Sequence, residues 1–213
     1  MALNKLKFNS INVTPAASEA IRFNSSANGL ETTSSVGGSL VKIASTTASS
    51  SATISFTSGL TSTYKEYIFI FNNIHPSASS HLTFQCSTDG GSNYNTTLTS
   101  SFFQAEFAEN DSNAALGYQA SSDQAQGTAF QRLFSSVSTT ADDSGSGYLH
   151  LFEPSSTTFV KHFMAVSNNV ASAYTQNSFA AGYFNTTSAI DAIQFKMSTG
   201  NIDAGTIAMY GVS

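Results

Sequence analysis

Residues 147–164 read GYLHLFEPSSTTFVKHFM: two short runs of alternating apolar and polar side chains, separated by Glu153-Pro154-Ser155-Ser156. A period of two puts successive side chains on opposite faces of an extended chain, and a Pro/Ser break between two such runs marks an antiparallel hairpin. The pattern predicts strands over 147–153 and 158–166. Pairing Phe152 with Phe159 sets His150 opposite Lys161 and sends His150 and His162 to opposite sheet faces.

The same period recurs along most of the chain, predicting strands over 52–57, 65–72, 81–87, 94–104, 130–138, 178–185, 190–197 and 205–212, bounded by Gly, Asn, Asp, Ser and Pro. No helical period is sustained, and no helix-length crossover separates the strands, which argues against a parallel α/β fold. The expected class is therefore all-β: an antiparallel, jelly-roll-like β-sandwich. A second hairpin is expected in AIDAIQFKMSTGNIDAGTIAMYGV, residues 189–212, turning at Gly200-Asn201.

Residues 1–45 differ: Leu6, Phe8, Ile11, Val13, Ile21 and Phe23 are scattered among Asn, Ser, Ala and Gly, too thinly to build a core. Thr14-Pro15 could start a short helix over Ala16–Ile21, while an extended arm docked on a partner fits equally well. The run ASTTASSS, residues 44–51, reads as a linker or an exposed strand edge. The division expected is an extended N-terminal arm, 1–45, and a sandwich, 46–213.

Composition narrows the function classes. Of 213 residues only 10% are charged, the net charge is −5 and Arg22 and Arg132 are the sole arginines, which argues against nucleic-acid binding. Serine and threonine number 61, so the polar surface is built from hydroxyls, while 17 Phe and 8 Tyr point to an aromatic core. Cys86, the one cysteine, cannot form an intrachain disulfide. No apolar run has the length of a signal peptide or a membrane span, so synthesis in the cytoplasm without membrane insertion is expected.

Each candidate for chemistry meets an objection from spacing. In STDGGSNY, residues 87–94, Ser87, Asp89, Gly91 and Tyr94 match the Asp-box of sialidases, with Asn93 where Thr is usual. The physical content of that motif is a turn, and one copy with no third arginine does not make a sialidase; Asp89 and the glycines are expected to bend a hairpin. Asp89 and the acidic loop Asp142-Asp143 lack the laddered carboxylates of a calcium loop. His75, His81, His150 and His162 have no metal-ligand spacing, and Glu106 and Glu109, three apart on a strand, face opposite ways. No Gly-X-Ser-X-Gly elbow singles out a nucleophile. The expectation is a protein without catalytic, metal or cofactor residues.

Several segments, INVTPAASEAIRFNSSANGLE, EYIFIFNNIHP, STDGGSNY, GYLHLFEPSSTTFVKHF and AGYFNTTSAIDAIQFKMSTGNIDAGTIAMYGV, together covering most of the chain, carry a likeness. The sequence resembles virion structural proteins of tailed bacteriophages, especially a group common in marine phages. The resemblance implies an attachment segment followed by a β-sandwich head, as in tail fibres, head fibres and capsid decoration proteins, and it implies a homotrimer in the virion. No repeated coiled-coil stalk occurs, which favours a short tail- or head-associated appendage over a long fibre. The partners implied are other virion proteins, bound through the arm, and a host-surface glycan met by the sandwich. The alternatives are a cement protein bracing the shell and a carbohydrate-binding or glycan-active head.

Overall fold

The computed structural model describes residues 20–23, 26, 29–33 and 39–213. Strands occupy β1 Ala20–Phe23, β2 Leu30–Thr33, β3 Leu40–Thr47, β4 Ile54–Phe56, β5 Glu66–Pro76, β6 Leu82–Ser87, β7 Leu98–Ala108, β8 Ala114–Tyr118, β9 Gln124–Gly127, β10 Gln131–Arg132, β11 Gly145–Phe152, β12 Lys161–Ala171, β13 Tyr174–Phe184, β14 Ala192–Met197 and β15 Ile202–Val212. The chain groups into two units, Met1–Ser39 with Ser213, and Leu40–Val212. In the first, β1 and β2 form an antiparallel pair in which Arg22 meets Glu31 at 3.0 Å. Of the helix expected over Ala16–Ile21, residues 16–19 lie outside the described residues, and Ala20 and Ile21 belong to β1.

The second unit is an antiparallel β-sandwich. Its large sheet runs β3-β15-β5-β11-β12-β13-β7-β8, with β9 also on β7, and its small sheet runs β10-β6-β14-β4. Eight of these strands have jelly-roll order, β3-β15-β5-β11 in one sheet and β4-β14-β6-β10 in the other. Followed along the chain, these eight change sheet at every step except from β6 to β10. Two excursions, β7–β9 and β12–β13, both stay in the large sheet and widen it beyond β11.

The expected aromatic core is present. Phe195 of β14 and Phe84 of β6 are cross-strand partners on the inner face of the small sheet. Phe195 packs against Phe69 and Phe71 of β5 at 5.4 and 5.3 Å between centroids, and Phe84 against Phe163 of β12 and Phe184 of β13 at 5.1 and 5.9 Å. All six rings are buried, and most pairs are tilted or edge-on, the arrangement that ring quadrupoles favour. In β5 a bulge at Asn72-Asn73, with Asn73 at φ 52°, restores inward parity, so Phe71 and Ile74 both enter the core. Gly205, at φ 109°, lies at an irregularity where β15 meets β5; a Cβ there would stand 2.6 Å from the Asn73 carbonyl oxygen.

Several local readings are corrected. β11 and β12 form the expected hairpin, but Leu151 pairs with Phe163 and His150 with Met164, three residues from the register that paired Phe152 with Phe159. The connection is longer because Ser156 Oγ accepts the backbone N–H groups of Thr158 and Phe159, holding Phe159 in the loop, 67% exposed. An odd shift reverses the facing, so His150 and His162 lie on the same outer face. Residues 189–212 are not a hairpin, since β14 lies in the small sheet and β15 is interior to the large one. STDGGSNY likewise joins different sheets, and β7 begins at Leu98, not at residue 94.

Within 130–138 only Gln131–Arg132 is a strand, with a bridge between Val137 and Ser80 beyond it. The hydroxyl-rich run from Ala44 takes the strand-edge alternative, its first residues forming the end of edge strand β3. β8 and β9 carry little alternation and were not legible in advance.

Candidate functional site

Two surfaces of the sandwich concentrate chemistry. The first arises because the polar alternate residues of β6 are not solvated: Thr83, Gln85 and Ser87 are buried along with Leu82, Phe84 and Cys86. Residues leading from β8 to β10 help cover them. Gln85 donates from Nε2 to the carbonyls of Thr128 and Ala129 at 3.1 and 3.0 Å, while its Oε1 accepts the Cys86 N–H at 2.8 Å. Gln131, fully buried, accepts from Ser100 at 2.6 Å and donates to the Ser122 carbonyl at 3.0 Å.

Beside this cover is a pocket of about 310 Å³ lined by His81, Thr83, Asp123, Gln124, Phe130 and Arg132 together with Ser121, Ser122 and Ser198. Arg132 donates to the Phe134 carbonyl at 2.9 Å and to the hydroxyls of Ser122 and Ser135 at 3.0 and 2.9 Å, with its guanidinium over the Phe102 ring. Among the described residues it forms no ion pair with a carboxylate. Burial brings its pKa down to about 10, so it stays a cation at neutral pH. His81 is lowered by burial and by the Arg132 charge, against a smaller opposing pull from Ser135, and is neutral at pH 7. Lys196 sits 3.9 Å over the Phe130 ring, and Asp123 accepts the Tyr118 hydroxyl at 2.6 Å.

The second surface is the outer face of the large sheet. Register places Ile70, Tyr148, Val166, Phe179, Phe103 and Tyr118 in one continuous cross-strand row over β5, β11, β12, β13, β7 and β8. Five inter-strand spacings make this row ~24 Å long. Met164, Phe107 and Leu116 flank it, and Leu116 is 74% exposed, Tyr118 58% and Met164 57%. A shallow groove of about 160 Å³ opens among Met164, Val166, Phe179 and Phe103. No residue of the row is charged.

The sequence candidates are otherwise dispersed. His75 Nδ1 lies 2.7 Å from the Asp143 carbonyl oxygen, bringing it to the Asp142-Asp143 loop, where Asp143 Oδ2 is buried without a hydrogen-bond partner. His150 meets Glu66, and His162 packs near Tyr183. Glu106 is held by the amides of Gln104, Asn113 and Gln176, whereas Glu109 donates its backbone N–H to Ala173 in a turn. Among the described residues no group of three or more His, Cys, Asp or Glu could hold a metal ion.

In the 87–94 loop, Asp89 accepts from Ser87 Oγ and from the backbone and side-chain N–H groups of Asn93 at 2.6, 2.9 and 2.7 Å. Gly90 and Gly91 take φ of 72° and 85°, the turn chemistry expected of the motif. Asn93 thus closes the turn on Asp89 through both its backbone and its side chain. These bonds hold the Asp89 carboxyl at a pKa of about 2.

No protein-family model, curated protein or solved structure matches this chain. The uncharged outer row and the Arg132 pocket are what the sequence did not disclose. Both depend on strands distant in sequence; the available signal was an arginine in a chain with only two.

Proposed function

We propose that this protein is a non-enzymatic structural component of a tailed-bacteriophage particle, a short appendage whose jelly-roll-like sandwich associates with copies of itself as a homotrimer. The row from Ile70 to Tyr118 carries the reading: a six-strand, uncharged, partly exposed aromatic and aliphatic face is stabilised when neighbouring copies cover it. Packed around a three-fold axis, such a face meets the neighbouring copy with no charge of its own to leave unpaired. The resemblance of the 66–76, 87–94 and 147–163 segments to virion proteins supplies the particle, and the segment before β3 supplies its attachment.

Light scattering on the purified full chain tests the assembly: a mass three times that of the chain is expected, and the double variant Leu116→Asp, Tyr118→Asp should run as a monomer with its β spectrum intact. A wild-type monomer at tens of micromolar would overturn it. Detection of the chain by mass spectrometry in purified particles tests the location, and its absence from them would overturn that part.

A further inference from the structure

We propose that the pocket beneath Arg132 binds an acidic sugar, a single ring carrying a carboxylate. Arg132 fixes the charge. Its guanidinium has five N–H groups, three of which are committed to Phe134, Ser122 and Ser135, and it faces the pocket with no carboxylate partner among the described residues. A partly buried cation held by neutral oxygens and an aromatic ring is only partly compensated for its desolvation, and an incoming carboxylate supplies the missing charge through charge-assisted hydrogen bonds.

The remaining lining selects a sugar over a bare anion. Asp123 is a carboxylate within the same pocket, so a small polyanion filling it would be repelled, whereas ring hydroxyls donate to such a group. Gln124 and the hydroxyls of Ser121 and Ser198 offer further donors and acceptors. Phe130 supplies the apolar surface that the C–H face of a ring packs against, and Lys196 fixes that aromatic ring by lying over it at 3.9 Å. The volume of about 310 Å³ suits one ring rather than an oligosaccharide. His81, neutral beside Arg132, adds a hydrogen-bonding group without adding charge.

This site gives the host-surface glycan implied by the resemblance a chemical address, and rests on the proposed function only for its biological meaning. The test is a nitrogen-15 chemical-shift titration of the full chain with sodium galacturonate, galactose and sodium sulfate in parallel. Galacturonate is expected to move the amides of residues 121–124 and 130 saturably, with galactose and sulfate each binding at least tenfold more weakly. Arg132→Gln should weaken galacturonate about tenfold or more. Because Arg132 also holds Phe134 and two serines, Phe130→Ala serves as the second variant: it should weaken galacturonate while leaving the fold intact. Equal binding of galactose would overturn the charge selection, equal binding of sulfate would make the site one for an adventitious ion only, and unmoved pocket amides would overturn the site itself. A trimeric, particle-borne chain that ignores galacturonate would fail this inference alone.

Discussion

Phe103 and Phe179 face each other across the β7–β13 ladder, ring centroids 4.7 Å apart and planes within 6° of parallel. Stacked on the outer face, they contribute to the sandwich and also present a flat aromatic surface to whatever covers the sheet. The two contributions separate experimentally. A double-mutant cycle with Phe103→Ser and Phe179→Ser should give a coupling of ~0.5–1.5 kcal/mol in urea unfolding of the monomeric Leu116→Asp, Tyr118→Asp background. In the wild-type background the same pair should also lower the fraction of the proposed trimer seen by light scattering.

Two phenylalanines sit at opposite extremes of burial. Phe195, fully buried among Phe69, Phe71 and Phe84, should cost ~3–5 kcal/mol when changed to Ala. Phe159, held in the loop by Ser156, should cost less than ~0.5 kcal/mol. Urea denaturation of the two variants checks both, and a large loss in Phe159→Ala would contradict the register.

Asp89 carries a sign that can be followed with acid. Its carboxyl titrates at about 2 in the fold instead of 3.8, chiefly through the Ser87 and Asn93 hydrogen bonds. A depressed native value means that the loop's contribution to stability is present above about 3.8 and is lost as pH falls through about 2. Carbon-13 titration of the carboxyl should show this midpoint, and Asn93→Ala should raise it.

Lys161 is fully buried, its ammonium donating to the Thr186 carbonyl at 3.0 Å. Burial lowers its pKa below the ordinary 10.5, so between the native value and 10.5 the unfolded chain holds more protons and stability rises with pH. Melting temperatures of wild type and Lys161→Met, compared from pH 7 to 10.5, should converge as pH rises. The variant should be the more stable at pH 7, because it removes a desolvated charge from a site its side chain can fill.

Cys86 faces the core from β6, and burial pushes its thiol pKa well up. Native protein should therefore resist a thiol-disulfide reagent, with the labelling rate rising in step with urea-induced unfolding. Rapid stoichiometric labelling without denaturant would contradict that placement.

Much of this was legible in advance because alternation is a local property. EYIFIF announces a strand with Tyr67, Phe69 and Phe71 on one face whatever its neighbours are, and the lack of helix-length crossovers leads to an antiparallel sandwich. The turn at Asp89 was legible as well, since its donors lie within four residues. Register was not: the Phe152–Phe159 pairing looked equivalent until Ser156 captured the Phe159 N–H and placed His150 and His162 on one face.

The sequence by itself determined the class of fold, the aromatic character of the core and the turn chemistry, because each follows from side chains close together along the chain. Tertiary structure decided which strands share a sheet, so that two apparent hairpins became crossings between layers. It also decided that the polar face of β6 is covered rather than wet, leaving Arg132 in the lining of a pocket, and that apolar residues from six strands align into one outer row. Those outcomes depend on long-range pairing and on what packs over a face, and a period of two specifies neither.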